Sequence, residues 1–279
     1  MWHYKQIQIT IEIFNEIFNE QQRNELSKQP LADVEEIHQP NFPKDFPKEI
    51  INPIISDRYD DYNLPKEDAN DNSIILGSYT PMNSPGVITF YKENIKKYSG
   101  SLIRKVVNSG ISLGLDTALF TIYFVVEDIM NHESFHYYCD YKRKLTLAQY
   151  DHDKEEAFAV AHSYQKKHYW RTTYNNFMLE SPYNNFFSNY FHNGPNVQIC
   201  KNRSKAIFNF LREEHYKGFT LPGYRDWHLY KERVSYETHY FNYIKNQLLD
   251  DLLKNGVPVN DIKWEISHLE NKGAKIKLI

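Results

Sequence analysis

The chain has 279 residues, 41% hydrophobic and 25% charged, with a net charge of −3. That profile excludes disorder as the dominant state, allows a full core without staples, and leaves no electrostatic footprint for nucleic acid or an anionic membrane. The two cysteines, Cys139 and Cys200, are far apart in sequence, which suits a reducing compartment and excludes a Cys-based zinc ribbon or finger.

Residues 1–28 open with Ile7, Ile9 and Ile11 alternating against Gln6, Gln8 and Thr10, and this predicts a strand leading into a helix. The stretch is polar throughout, unlike a signal peptide, and no apolar run of membrane-spanning length follows. The expectation is a soluble, cytoplasmic protein. Residues 29–72 carry Pro30, Pro40, Pro43, Pro47, Pro53 and Pro65 among many acids, the composition of a surface connector or arm. Residues 73–91 read as two strands, SIILGSY and GVITFY, around a Pro/Asn/Gly turn.

A long helix is expected from Asp116 to Arg143, with Ile122, Val125, Val126 and Ile129 on its apolar stripe. A second starts near Asp153, where acids in the first turn favour the helix dipole. Past residue 170 the chain is aromatic-rich, with turn signals at 192–196 and 221–224. Helices are expected at 201–216 and 230–254, the latter stopped at Asn255-Gly256, and KWEISHL with AKIKLI would form a closing hairpin. The 22 Tyr and 17 Phe read as AT-rich codon usage, because a base-stacking surface needs a basic groove beside its rings. The expected fold class is α+β, mainly helical with a small sheet. Three stretches are distinguished: 1–72, an N-terminal element and Pro-rich acidic arm; 73–170, the core; and 171–279, an aromatic-rich, mostly helical region that can belong to the same domain.

The chemistry concentrates in His132-Glu133-Ser134-Phe135-His136, an HExxH sequence on the long predicted helix. Histidines at i and i+4 share a helix face and can share one metal ion. Both continue the stripe ending at Ile129, so both point inward. Glu133, one step round from His132, is placed to act as general base toward a water at the metal.

A zinc site that does chemistry takes three protein ligands and leaves a position open. Glu156, twenty residues after His136 on the second predicted helix, is the favoured third ligand. Ala157, Ala159 and Ala161 beside it would let the two helices approach closely. Glu155 and His152 remain rivals for that role. Asp128 lies roughly 12 Å from His136 along the helix axis, too far to share an ion with both histidines.

HExxH followed by a helical Glu at this spacing resembles the gluzincin branch of the zincin metallopeptidases, and EEAFAVA (residues 155–161) resembles the E-A-x-x-x-A pattern of short bacterial ImmA/IrrE-type proteins. The uncharged flanks Met130, Ser134, Phe135, Tyr137 and Tyr138 agree, and the resemblance covers roughly residues 74–165. Cys139 and Lys142 stand where a metzincin needs Gly and His, so that branch is excluded. The resemblance implies a zincin-like core, Zn2+ held by His132, His136 and Glu156, and Glu133 as the catalytic base. It also implies an edge strand over the active-site helix that receives an extended peptide, for which Gly86–Tyr91 is the candidate.

Two features depart from the pattern or stay open. Thermolysin-like members carry an acid four residues after the ligand Glu, where this chain has Val160. The group that stabilises the oxyanion is not singled out among His162, Tyr164, His168, Tyr224 and Arg225; His162 lies about 240° round its helix from Glu156. The expected function is a zinc-dependent peptidase acting on a peptide or protein, without nucleic acid or membrane as partner. The alternatives are a non-catalytic regulatory or protein-binding module on the same scaffold, and a metal-free interaction protein built around the aromatic C-terminal region.

Overall fold

A computed structural model describes residues 2–28, 52–54, 73–80, 86–146, 152–166, 177, 180–194, 196–219, 224–236, 254, 256 and 274–279. The described residues are mainly helical with a small mixed sheet, an α+β arrangement. Its centre is a 32-residue helix, and the other elements lie around it.

The N-terminus is two helices, α1 (Trp2–Ile17) and α2 (Glu20–Lys28), and not the strand that the early alternation suggests. Ile9, Ile13 and Phe14 are buried together with Gln6, Ile7 and Thr10, so the face that matters recurs every three to four residues and the alternation is only its local appearance. The break between the two helices has a defined cause. Asn19 Oδ1 accepts from the Gln22 amide and Gln22 Oε1 accepts from the Asn19 amide, each at 2.9 Å, a reciprocal box that restarts the helix.

Most of the Pro-rich stretch 29–72 lies outside the described residues. Three of its residues form β1 (Asn52–Ile54), which pairs in parallel with β2 (Ser73–Ile75). Past Leu76 the chain continues as β3 (Gly77–Thr80), which pairs antiparallel with β4 (Val87–Phe90). The predicted SIILGSY strand is therefore two short strands with different partners. Near the C-terminus β5 (Lys275–Leu278) pairs in parallel with β4. The expected hairpin is corrected to that extent: AKIKLI supplies a strand whose partner is β4, while KWEISHL lies outside the described residues.

The sheet order β3-β4-β5 also corrects the edge-strand expectation. Residues 87–90 run down the middle of this sheet, and β3 is an edge among the described residues. Ile88 and Phe90 on β4 are fully buried, as a central strand requires. Gly86, just before β4, leaves room for the Tyr79 ring, which a Cβ there would strike.

Helix α3 (Lys92–Asn108) is an element the sequence pattern does not predict. Its buried residues Ile95, Tyr98, Leu102, Ile103 and Val106 keep helical spacing, but Gly100 and several polar residues dilute the pattern. Helix α4 (Leu115–Thr146) contains the predicted 116–143 segment, and α5 (His152–Lys166) begins beside the predicted start. A short helix, α6 (Asn184–Ser188), runs into a wider turn at 189–193, and α7 (Val197–Lys217) contains the predicted 201–216 helix. A single 3-10 turn, Tyr224–Asp226, leads into α8 (Trp227–Tyr236). The remainder of the predicted 230–254 helix lies almost wholly outside the described residues, and Gly256 has the left-handed φ of 76° that suits a helix stop.

One hydrophobic cluster joins α1, the sheet, α3, α4, α5 and α7, so all three sequence stretches contribute to it. Rings do much of its filling. Tyr123 stacks on Phe177 with centroids 4.5 Å apart, and Phe120 stacks on Phe187 at 5.4 Å, an arrangement that combines large buried area with favourable ring geometry. At the start of α4 the buried Asp116 carboxylate accepts from Arg203 Nε at 2.6 Å and from the Tyr190 hydroxyl at 2.7 Å, which pins α7 and the 189–193 turn to the central helix. Among the described residues no helix is long and apolar enough to cross a membrane.

Candidate metal centre

Helix α4 carries His132, Glu133 and His136 in its buried middle, and α5 brings Glu156 against them. The long apolar stripe on α4 forces this face inward, and the alanines of α5 let the second helix close on it: Ala157, Ala159 and Ala161 are all buried. His132, His136 and Glu156 are each fully buried and form a group that could hold a metal ion.

The donor atoms are His132 Nε2, His136 Nε2 and Glu156 Oε2. Their separations are 3.0 Å between the nitrogens, 3.1 Å from His132 to Glu156 and 3.5 Å from His136 to Glu156. Tetrahedral ligands about 2.05 Å from a zinc ion stand roughly 3.3 Å apart, so this triangle has the size of one face of that tetrahedron. Burial lowers the His132 pKa, against the opposing bond to Glu156, and keeps the ring in the neutral form that can ligate. For Glu156, burial alone would raise the pKa, but its interactions with His136 and His132 outweigh that and hold the carboxyl well below its usual range. Three electron-pair donors converging in a dry site repel one another unless a proton or a metal cation lies among them.

Glu133 is also fully buried, beside Gly77 of β3. A Cβ placed on Gly77 of β3 would come within 3.5 Å of Glu133 Oε1 and would collide with the Ile129 side chain. Glycine at 77 is what lets the edge strand lie this close to the helix.

The rival ligands divide as follows. Glu155 turns to the other nitrogen of His136, with Oε1 2.9 Å from Nδ1, and so lies outside the triangle. The side chain of His152 is outside the described residues. Asp128 is engaged elsewhere, as its distance along the helix implied: it accepts from His215 Nε2 at 2.8 Å and from the Tyr216 hydroxyl, while the Tyr98 hydroxyl meets His215 Nδ1 at 2.7 Å. That buried chain ties α3, α4 and α7 together one turn before His132. Sequence reasoning does not find it, because its members come from three distant segments with no shared motif.

The oxyanion candidates also separate. Tyr224 lays its ring nearly parallel to His132, with centroids 6.2 Å apart, and Phe219 stacks on Tyr224. His162 packs against Phe135 at 5.5 Å, off the ligand face, and burial pushes its pKa down to about 3. Tyr164 receives the Arg212 guanidinium over its ring at 3.9 Å, and Arg225 is exposed beside Asp226. His168 lies outside the described residues. Val160, at the position where thermolysin-like members have an acid, is fully buried in the apolar core. Buried His132 Nδ1 has no hydrogen-bond partner among the described residues.

Comparison of the chain with protein-family models, with curated proteins and with solved structures finds no match.

Proposed function

We propose that the protein is a zinc-dependent peptidase on a zincin-like core, with His132, His136 and Glu156 as the metal ligands. The observation that carries this reading is the donor triangle, whose 3.0, 3.1 and 3.5 Å sides match tetrahedral zinc and whose buried, electron-rich atoms call for a cation. When bound, zinc supplies Lewis acidity that brings the pKa of a coordinated water to about 7 and polarises a substrate carbonyl.

The residues of the chain divide the remaining work. Glu133 takes the proton of the attacking water and delivers it to the leaving amine, as a buried carboxylate on the ligand helix is suited to do. An extended peptide adds to the edge of β3 that is open among the described residues, main chain to main chain, which brings its carbonyl over Glu133. Tyr224, stacked on His132, donates its hydroxyl hydrogen to the developing oxyanion.

Cleavage of a peptide library by the zinc-loaded protein and by Glu133→Gln tests the reading. Loss of cleavage by roughly 10²–10⁴-fold, with zinc still bound, supports it. Zinc binding without cleavage by the parent would move the conclusion to a non-catalytic module on the same scaffold.

A further inference from the structure

Glu155 and Glu156 are adjacent on α5, and both reach the same imidazole. Glu156 Oε2 lies 3.5 Å from His136 Nε2, and Glu155 Oε1 lies 2.9 Å from His136 Nδ1. Neighbouring positions on a helix diverge by about 100°, so the pair clasps the ring at its two nitrogens. The contact is sheltered: the His136 side chain is wholly buried and only 10% of the Glu155 side chain is exposed.

The chemistry of that contact has one direction. An ionised carboxylate only accepts, so the proton of a neutral His136 resides on Nδ1. The Nε2 lone pair is then turned toward His132 Nε2 and Glu156. A carboxylate on the far nitrogen also raises the basicity of the ligating one and stops the ring from rotating. The position four residues after Glu156, where the resemblance leads one to expect such an acid, is the buried Val160. His132 has no comparable support among the described residues, since its Nδ1 is buried without a hydrogen-bond partner and the ring is steadied by the Tyr224 stack.

We propose that Glu155 is a positioning residue of the metal centre, the carboxylate that fixes the tautomer and rotation of His136, and not a metal ligand. This rests on the zinc reading above. The orienting acid thus comes from the residue just before the ligand Glu, which explains how the centre manages with valine at 160. It also assigns the two acids of the Glu155-Glu156 pair different tasks on one ring.

The test is zinc affinity by competition with a fluorescent chelator on the full chain, for the parent, Glu155→Gln, Glu155→Ala and Glu156→Ala, together with the imidazole nitrogen-15 shifts of His136 in the metal-free protein. The expected result is one zinc per parent chain. Glu155→Ala should still bind one zinc, roughly 10–100-fold more weakly. Glu155→Gln should fall in between, because its amide oxygen can still accept from Nδ1–H. The parent shifts should show the Nδ1–H tautomer, and Glu155→Ala should show a mixture. A merely structural glutamate would not move that tautomer signal. Equal zinc affinity in the parent and Glu155→Ala overturns this assignment alone. So does retention of full affinity by Glu156→Ala while Glu155→Ala loses the metal, which would make Glu155 the ligand. No zinc in the parent overturns the metal reading and this assignment with it.

Discussion

Gly77 and Glu133 stand face to face across the strand–helix contact, close enough that a Cβ on the glycine would lie 3.5 Å from Glu133 Oε1 and run into the Ile129 side chain. At Gly77 the edge strand thus meets the helix that carries the site with no side chain of its own in the contact. Gly77→Ala should therefore cost about 1–3 kcal/mol through overpacking, read as a lower urea midpoint. Peptide cleavage should fall further than stability alone accounts for, because the strand is pushed off the carboxylate that it overhangs. An unchanged midpoint together with unchanged activity in the Gly77→Ala variant would show that the approach has no consequence.

Tyr224 is the proposed oxyanion donor, and its hydroxyl is the test. Tyr224→Phe keeps the ring that stacks on His132 and removes only the O–H. Loss of one such donor costs roughly 10²–10³ in kcat. KM, zinc content and melting temperature should stay near the parent values. A parallel loss of zinc would mean that the hydroxyl supports the metal site and not the oxyanion.

His162 gives a pH signature from a residue that is not itself a proposed ligand. Burial lowers its pKa to about 3, with lesser contributions from the charges of Lys166 and His132. Below its unfolded value of about 6.5 the unfolded chain binds a proton that the folded chain refuses. The stability contributed by the neutral ring is complete above pH 6.5 and is lost as pH falls toward 3, by at most about 1.4 kcal/mol per pH unit. His162→Phe, which preserves the packing on Phe135, should flatten the melting temperature between about pH 6.5 and 4 relative to the parent. Parallel curves for the two proteins would contradict the shift.

Arg203 and Asp116 make the most exacting demand on stability away from the site. Asp116 is buried, and Arg203 meets it through Nε at 2.6 Å and Nη2 at 3.2 Å. Arg203→Met strands a buried carboxylate and should cost about 3–5 kcal/mol, measured by denaturant unfolding. The double variant with Asp116→Asn should recover part of that loss.

How much of this is legible in the sequence follows from where each signal resides. HExxH lies within five consecutive residues on a strongly apolar helix, so the two histidines and their inward direction can be read directly, and Glu156 follows from spacing and from the small residues around it. Placing Glu155 on the far nitrogen of His136 needs coordinates, because neighbouring acids differ only in the angle at which they leave the helix. The N-terminus reads wrongly as a strand because Ile7, Ile9 and Ile11 alternate briefly inside a longer helical face. Strand β4 reads wrongly as an edge because the strand that covers its other side, β5, comes from the far end of the chain. The same remoteness hides the Asp128–His215–Tyr98 chain and the contact of Tyr224 with His132.

The most direct test of the central claim is metal content by plasma mass spectrometry on protein purified without a metal-affinity column, for the parent and Glu156→Ala. The three-ligand site predicts about one zinc per parent chain and its loss in the variant, since removing one of three ligands breaks the triangle. A parent that holds no zinc even after reconstitution would contradict it, and the three converging side chains would then be held together by protons alone.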